Sequence, residues 1–458
     1  MPRRTVIVGA GPAGMYAAET IRSLDATAAI TLVGDEPPHA RMALPYWLAG
    51  QVPRAQTLTG GPELYARLQL DARIGVRATA LDPTAQRVEL SDGTSLEFDA
   101  LLLALGSRPR RLAIPGAELP GVQTMWSLAD TETLLDGLQP GTEVCLIGAG
   151  FIGLIVLNAL WKRRCKLQVV ESADHILPRM LGVDAAGVAE QWLSARGVSL
   201  HPGEQVERIE ADGSRRGVIL ADGGELSADR VILATGVQPN VELARAAGLK
   251  VESGILVDQR CRTSAPGIYA AGDCAAGPNL LGGPHEVHAI QPTAVDHGRV
   301  AGANMAGKDV EYPGSLSMNI LDVAGLQCVS FGNWTGDGPD TQVLRNAGSA
   351  LYRKLVWDGG ALVGAVFVGP MNDVGMLNDV GMVKGFIQSQ VQWGEWTRHL
   401  QESPADLRRP YVALGVPQLL VARTLLGAPS VARSHRAGDL QPTVDRGPHH
   451  AVFVGGRG

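Results

Sequence analysis

Two short glycine clusters hold the residues best suited to chemistry in this chain. Gly9, Gly11 and Gly14 fall in the string GAGPAG, and Gly148, Gly150 and Gly153 in GAGFIG. Each triplet follows an apolar run and precedes a stretch with helical periodicity. That order suits a pyrophosphate: the first glycine permits a tight turn and the second lets backbone approach the phosphates. The third lets helix pack on strand, while the helix N-terminus supplies amide donors and positive dipole. An acid should follow the next strand to accept a bond from a ribose hydroxyl. Asp35 and Glu36 follow AITLVG, and Glu171 ends KLQVVE.

Such loops need strand, turn and helix on either side, and the flanking sequence provides them. TVIV and MYAAETIRSL bracket the first loop; EVCLI and LIVLNALWKRR bracket the second. LLLALGSRPR (101–110) and VILATGVQPN (231–240) are near-duplicates, each about ninety residues after its own glycine loop. This internal repeat predicts two doubly wound units, one inserted in the other. GIYAAGDCA then places Gly272 and Asp273 at the carboxyl end of a strand, where ligands sit in open α/β sheets. IQPTAVDHGRVAGANMAG predicts a helix with Pro292 in its first turn, whose amides and dipole favour negative charge.

The bulk properties agree. The 458 residues suffice for about three domains. A net charge of −6 argues against a nucleic-acid binder. Five scattered cysteines, none in a CxxC pair, argue against a disulfide framework, a zinc knuckle or an intrinsic iron–sulfur cluster. A reduced, cytoplasmic setting is expected. The basic, apolar start and the uncharged stretch Val144–Trp161 mimic a signal peptide and a membrane span. Both are accounted for by the glycine loops they contain, so no membrane partner is expected.

These strings, in this order, resemble the two-dinucleotide flavoproteins of pyridine nucleotide–disulfide reductase fold, which include ferredoxin and rubredoxin reductases, NADH oxidases and coenzyme A disulfide reductases. The resemblance covers about residues 4 to 395. It implies an α/β architecture: two Rossmann-like dinucleotide-binding domains, glutathione reductase-like, plus a C-terminal α+β interface domain. The implied boundaries are 1–112 with 250–312 for a discontinuous FAD domain and 113–249 for an NAD domain. The interface domain spans 313–395, and an extension, docking on a partner or partly disordered, 396–458. The resemblance implies FAD contacts from Gly9, Gly11, Ala13, Gly14, Asp35, Glu36, Arg41, Ala78, Ala104, Gly106, Gly272, Asp273, Gln291, Pro292 and Thr293. For NAD it implies Gly148, Gly150, Phe151, Ile152, Gly153, Glu171 and Gly236. Glu171, with no arginine in the Ser172–Asp174 segment after it, favours NAD over NADP.

The chain also departs from the family. Thiol-using members carry a cysteine where Met42 stands, and a thioether cannot form a thiolate or mixed disulfide. Ferredoxin-reductase-like members often carry a lysine and a glutamate where Tyr46 and Ile155 stand. Losing both together is consistent, since one buried charge left alone is costly. His285, His288 and His297 lack metal-ligand spacing and are expected to be solvent-facing loop histidines or a polar lid. Leu377, Val380, Met382, Val383 and Phe386 are expected to share a buried helical stripe. The Gly, Pro, Arg and His-rich tail from Ala428 cannot make its own core. The ending GMVKG…GEW…RRPY resembles flavin subunits of multi-subunit aldehyde or 2-oxoacid oxidoreductases, whose catalytic subunits hold tungsten or thiamine cofactors.

The expected activity is FAD-dependent hydride exchange with NAD(H), the flavin passing electrons singly to or from an iron–sulfur subunit or ferredoxin-like protein. The flavin is the reacting group, and no side chain need act as acid, base or nucleophile. A free-standing NADH oxidase or rubredoxin reductase, and an assembly module with slow turnover, are the alternatives.

Overall fold

The computed structural model describes residues 2–336 and 341–421. TVIV becomes the centre of a five-stranded parallel sheet because its side chains are buried on both faces. The sheet order is Ile268–Ala270, Ala100–Leu103, Arg4–Val8, Ala29–Gly34, Leu70–Ile74. The second sheet repeats the plan with Glu143–Ile147 at its centre, in the order Ser199–Pro202, Lys166–Glu171, Glu143–Ile147, Arg230–Leu233, Val122–Gln123. Each unit also carries a three-stranded antiparallel meander, 78–97 in the first and 206–228 in the second.

Strand Ile268–Ala270 returns to the first sheet after the second sheet is complete, so the second unit is an insertion in the first. The two meet at a short antiparallel ribbon, Ser107–Pro109 with Val237–Pro239. Its strands are the continuations of LLLALG and VILATG, which turn at Gly106 (φ 67°) and Gly236 (φ 99°). Both glycines occupy the left-handed region that other residues seldom adopt.

A five-stranded antiparallel sheet follows, in the order Met318–Val323, Leu326–Gly332, Ala361–Pro370, Leu351–Asp358, Thr341–Asn346. The strand pair around the Asp-Gly-Gly turn is the one expected from sequence. Its alternating side chains serve two cores. Leu321, Val323, Tyr352, Val366 and Val368 pack with the helix Phe151–Lys162. Val329, Phe331, Leu355 and Phe367 pack under the helix Val374–Ser389.

That helix buries Val380, Val383 and Phe386 of the expected stripe and leaves Met382 half-buried against the same core. Met376, Val380, Val383, Phe386 and Ile387 are buried, whereas Leu377 is exposed. Met376 fills the a-type position one residue earlier, its sulfur over Gly369. The first part of the extension forms helices Trp396–Glu402, Arg408–Ala413 and Val416–Val421. Leu400, Leu407 and Val416 join the Phe386–Trp393 core. The tail from Ala428 lies outside the described residues. Among those described, no helix is long and apolar enough to cross a membrane.

Candidate dinucleotide sites

The two glycine loops are built alike. Gly9 has φ 118° and Gly148 φ 107°. Gly11 and Gly150, the helix N-caps, share φ −74° and ψ −175°. A methyl added at Gly9 would lie 2.0 Å from the carbonyl oxygen of Ala104, and one at Gly148 2.4 Å from that of Ala234. At Gly14 and Gly153 it would lie 1.9 Å from the Gly9 oxygen and 2.2 Å from the Gly148 oxygen. At Gly11 and Gly150 it would meet nothing within 4 Å. The first and third glycines are thus required by the protein itself. The middle one opens onto free space at a helix N-terminus, where a pyrophosphate fits.

Around the first loop, three further elements converge. The closing helix Gln291–Met305 lies across the helix Pro12–Leu24, and added methyls at Gly298 and Gly302 would strike the Ala13 and Ala17 oxygens at 2.3 and 2.7 Å. Its first turn carries Gln291, Pro292 and buried Thr293. Gly272 (φ 74°) sits against Ala13 and Ala294, and beside it Asp273 accepts a 2.8 Å hydrogen bond from the Ser107 hydroxyl. Glu36 is half-buried and burial pushes its carboxyl pKa up, whereas Asp35 is exposed and pairs with Arg77 at 3.1 Å. Ala78 opens the meander strand Ala78–Asp82 beside this core. Burial draws the Arg41 guanidinium pKa down, against the raising effects of Asp273, Glu36, Asp35 and Asp130.

In the second site Glu171 ends its strand as expected. Its Oε2 accepts from the Ala149 amide at 2.7 Å and its Oε1 from the Ala173 amide at 3.0 Å. Oε1 also accepts from the Ser172 hydroxyl at 3.2 Å, so the carboxylate braces the glycine loop and keeps one acceptor position, on Oε2, for a ribose hydroxyl. Phe151 and Ile152, the first helical residues, are half-buried at the mouth of the loop.

The chain matches the family described as pyridine nucleotide-disulphide oxidoreductase over residues 3–298. It belongs to that family. A rubredoxin NAD+ reductase C-terminal domain matches residues 318–380. The ferredoxin–NAD(+) reductase component of the biphenyl dioxygenase system of Paraburkholderia xenovorans is 34% identical over 342 residues, covering 74% of this chain and 83% of the relative. Rhodocoxin reductase of Rhodococcus erythropolis is 36% identical over 383 residues, covering 80% and 87%. The solved NAD-dependent persulfide reductase of A. fulgidus superposes with a TM-score of 0.78 at 29% identity, over 86% of this chain and 78% of that one. The protein is an FAD-dependent NAD(H) oxidoreductase.

Within this family the sulfur position is informative. Met42 opens the segment before the helix Leu44–Leu48 and is exposed. All five cysteines are buried and free. Burial pushes the thiols of Cys145 and Cys328 up to about 12 and that of Cys274 to about 11. None offers a thiolate at neutral pH. Tyr46 is exposed, and Ile155 packs on the core that holds Leu44 and Leu48. The place of the family's charged pair is thus taken by ordinary apolar packing and a surface ring.

Two histidines differ from expectation. His288 and His297 are buried rather than solvent-facing, and His285 alone of the three is exposed. His297 lies edge-on to Tyr312, ring centroids 4.9 Å apart, and burial holds its pKa down at about 4. No cluster of His, Cys, Asp or Glu suited to a metal occurs among the described residues. Sequence reasoning also passed over Trp126 and Ser107. Arg41 Nε donates to the Trp126 carbonyl at 3.1 Å, and the Trp126 indole N–H donates to the Ser107 carbonyl at 2.9 Å. Their separation along the chain hid them, because no periodic pattern connects positions 41, 107 and 126.

Proposed function

We propose that this chain transfers reducing equivalents between NAD(H) and an iron–sulfur protein through FAD held at the first loop. The observation that carries the reading is the pair of matched glycine cradles combined with five buried thiols. Without an accessible cysteine, electrons arriving at the flavin have no in-chain sulfur to reduce and must leave to an outside acceptor. FAD supports this by accepting electrons in pairs and releasing them one at a time. We assign FAD to Gly9, Gly11, Ala13, Gly14, Asp35, Glu36, Arg41, Ala78, Ala104, Gly106, Gly272, Asp273 and the first turn Gln291–Thr293. NAD(H) is assigned to Gly148, Gly150, Phe151, Ile152, Gly153, Glu171 and Gly236. The corresponding units are 1–112 with 250–312 and 113–249, with 313–395 as the interface domain and 396–458 as an extension that docks on a partner.

The protein's part is binding and exclusion. The first-loop amides would hold the flavin's phosphates, the closing helix would favour negative charge on the reduced flavin, and Arg41 would balance it. Stopped-flow mixing of the purified chain with NADH tests the reading. Fast flavin reduction, slow oxygen turnover and rapid viologen reduction are expected. Rapid direct oxygen reduction would identify an oxidase, and flavin reduction over minutes an assembly module.

The acceptor we propose is a ferredoxin-like protein of the cell interior. The named reductase relatives support it. A narrower reading places it in a tungsten- or thiamine-dependent aldehyde or 2-oxoacid oxidoreductase complex, supported by the RRPY segment (408–411) in a helix whose Val412 is exposed. Purification from the native host with metal analysis separates the two: tungsten or thiamine diphosphate in the co-purified fraction marks the larger complex.

A further inference from the structure

Trp126 lies within the second unit, just after its edge strand Val122–Gln123, yet its side chain reaches Ser107 and Arg41 of the first. The Arg41 guanidinium carbon stands 4.3 Å from the centroid of the Trp126 ring. The same arginine donates from Nε to the Trp126 carbonyl, 3.1 Å away. The residue is itself fixed from three sides. Its amide donates to Asp130 Oδ2 at 2.9 Å. Asp130 also closes the capping box with Ser127 at the start of the helix Leu128–Leu135. Its indole N–H donates to the carbonyl of Ser107, whose hydroxyl holds Asp273. A cation over an indole face is attracted by the ring's quadrupole, most strongly where water is partly excluded. A flexible arginine stem held by stacking and by one hydrogen bond loses its freedom before a ligand arrives.

We propose that Trp126 is a positioning residue that holds Arg41 ready for the FAD phosphates, tying flavin retention to the NAD-binding unit. The inference rests on the assignment of Arg41 to the FAD site.

The test is the rate of FAD release from purified holoenzyme, followed by the fluorescence of freed flavin. Trp126→Leu keeps apolar bulk and removes the ring face and the N–H; Trp126→Phe keeps a ring face. Release should quicken about tenfold in Trp126→Leu and by less than about threefold in Trp126→Phe. Arg41→Ala should quicken it more than tenfold. The double variant Arg41→Ala with Trp126→Leu should release no faster than Arg41→Ala alone, because the tryptophan acts through the arginine. Equal rates for Trp126→Leu and Trp126→Phe would overturn the proposal, as would additive effects in the double variant. Unchanged release in Arg41→Ala would instead remove Arg41 from the FAD site. Circular dichroism of each holoenzyme separates these outcomes from misfolding, and Trp126→Phe carries the comparison if Trp126→Leu fails to fold.

Discussion

Gly150→Ala is the sharpest test of the second cradle. Gly150 has φ −74° and ψ −175°, a conformation alanine adopts freely, and its added methyl meets no protein atom within 4 Å. The fold should tolerate it at a cost under about 1 kcal/mol, the ordinary difference between glycine and alanine at a helix N-cap. The methyl would nevertheless stand where the pyrophosphate must approach the amides. Losing one or two charge-assisted hydrogen bonds there costs roughly 2–4 kcal/mol. At about 1.4 kcal/mol per tenfold, NADH affinity should fall roughly 30- to 1,000-fold. The assay is the dissociation constant of NAD+ by fluorescence, beside the KM for NADH in viologen reduction and the thermal midpoint. Gly153→Ala is the contrast: its methyl would lie 2.2 Å from the Gly148 oxygen, a backbone clash that helix and strand must open to relieve. It should destabilise the chain by about 1–3 kcal/mol as well as weaken NADH. A Gly150→Ala variant with normal affinity, or one that unfolds, would refute the assignment of the free space to a pyrophosphate.

Other outcomes follow from the same geometry. Glu171→Ala removes both the brace on the Ala149 amide and the ribose acceptor, so the preference for NADH over NADPH should narrow about tenfold in steady-state kinetics. Iodoacetamide should leave the native chain unlabelled by mass spectrometry and its viologen activity intact, since every thiol is buried. His297 titrates at about 4 in the fold because burial disfavours its cation, while the unfolded chain takes that proton up from about pH 6.5. Its contribution to stability is therefore whole above pH 6.5 and is lost as pH falls toward 4, by up to about 3 kcal/mol. His297→Phe should flatten the fall in urea midpoint between pH 7 and pH 5. Gly298→Ala, whose methyl would lie 2.3 Å from the Ala13 oxygen, should part the closing helix from the first-loop helix and speed FAD release.

Much of this arrangement is legible in the sequence where local chemistry is decisive. AITLVG and KLQVVE form strands over the residues read for them, because each is an apolar run ended by Gly34 or by an acid. The glycine loops are legible because their function and their backbone geometry demand the same residue. Leu377 was not legible: on a helix with apolar residues on several sides, its neighbours in space select the buried face, and they select Met376. The burial of His297 depends on Tyr312 and Gly277, which arrive from other elements. Trp126 stands 85 positions from Arg41, and nothing local marks the pair.

The two cradles differ most in what stands opposite them. Across the first lies a second helix, drawn in until glycines touch alanine carbonyls, with Gly272 packed against both helices. The helix Phe151–Lys162 instead turns its flank to the antiparallel sheet, where Asn158 bonds Asp322 and Ala324. The same phosphate-binding turn can thus serve two residence times. Under the proposed assignment, the closing helix would lengthen the stay of FAD at the first loop relative to that of NAD(H) at the second. The duplicated loop need not change to separate cofactor from substrate; the neighbouring helix sets that difference.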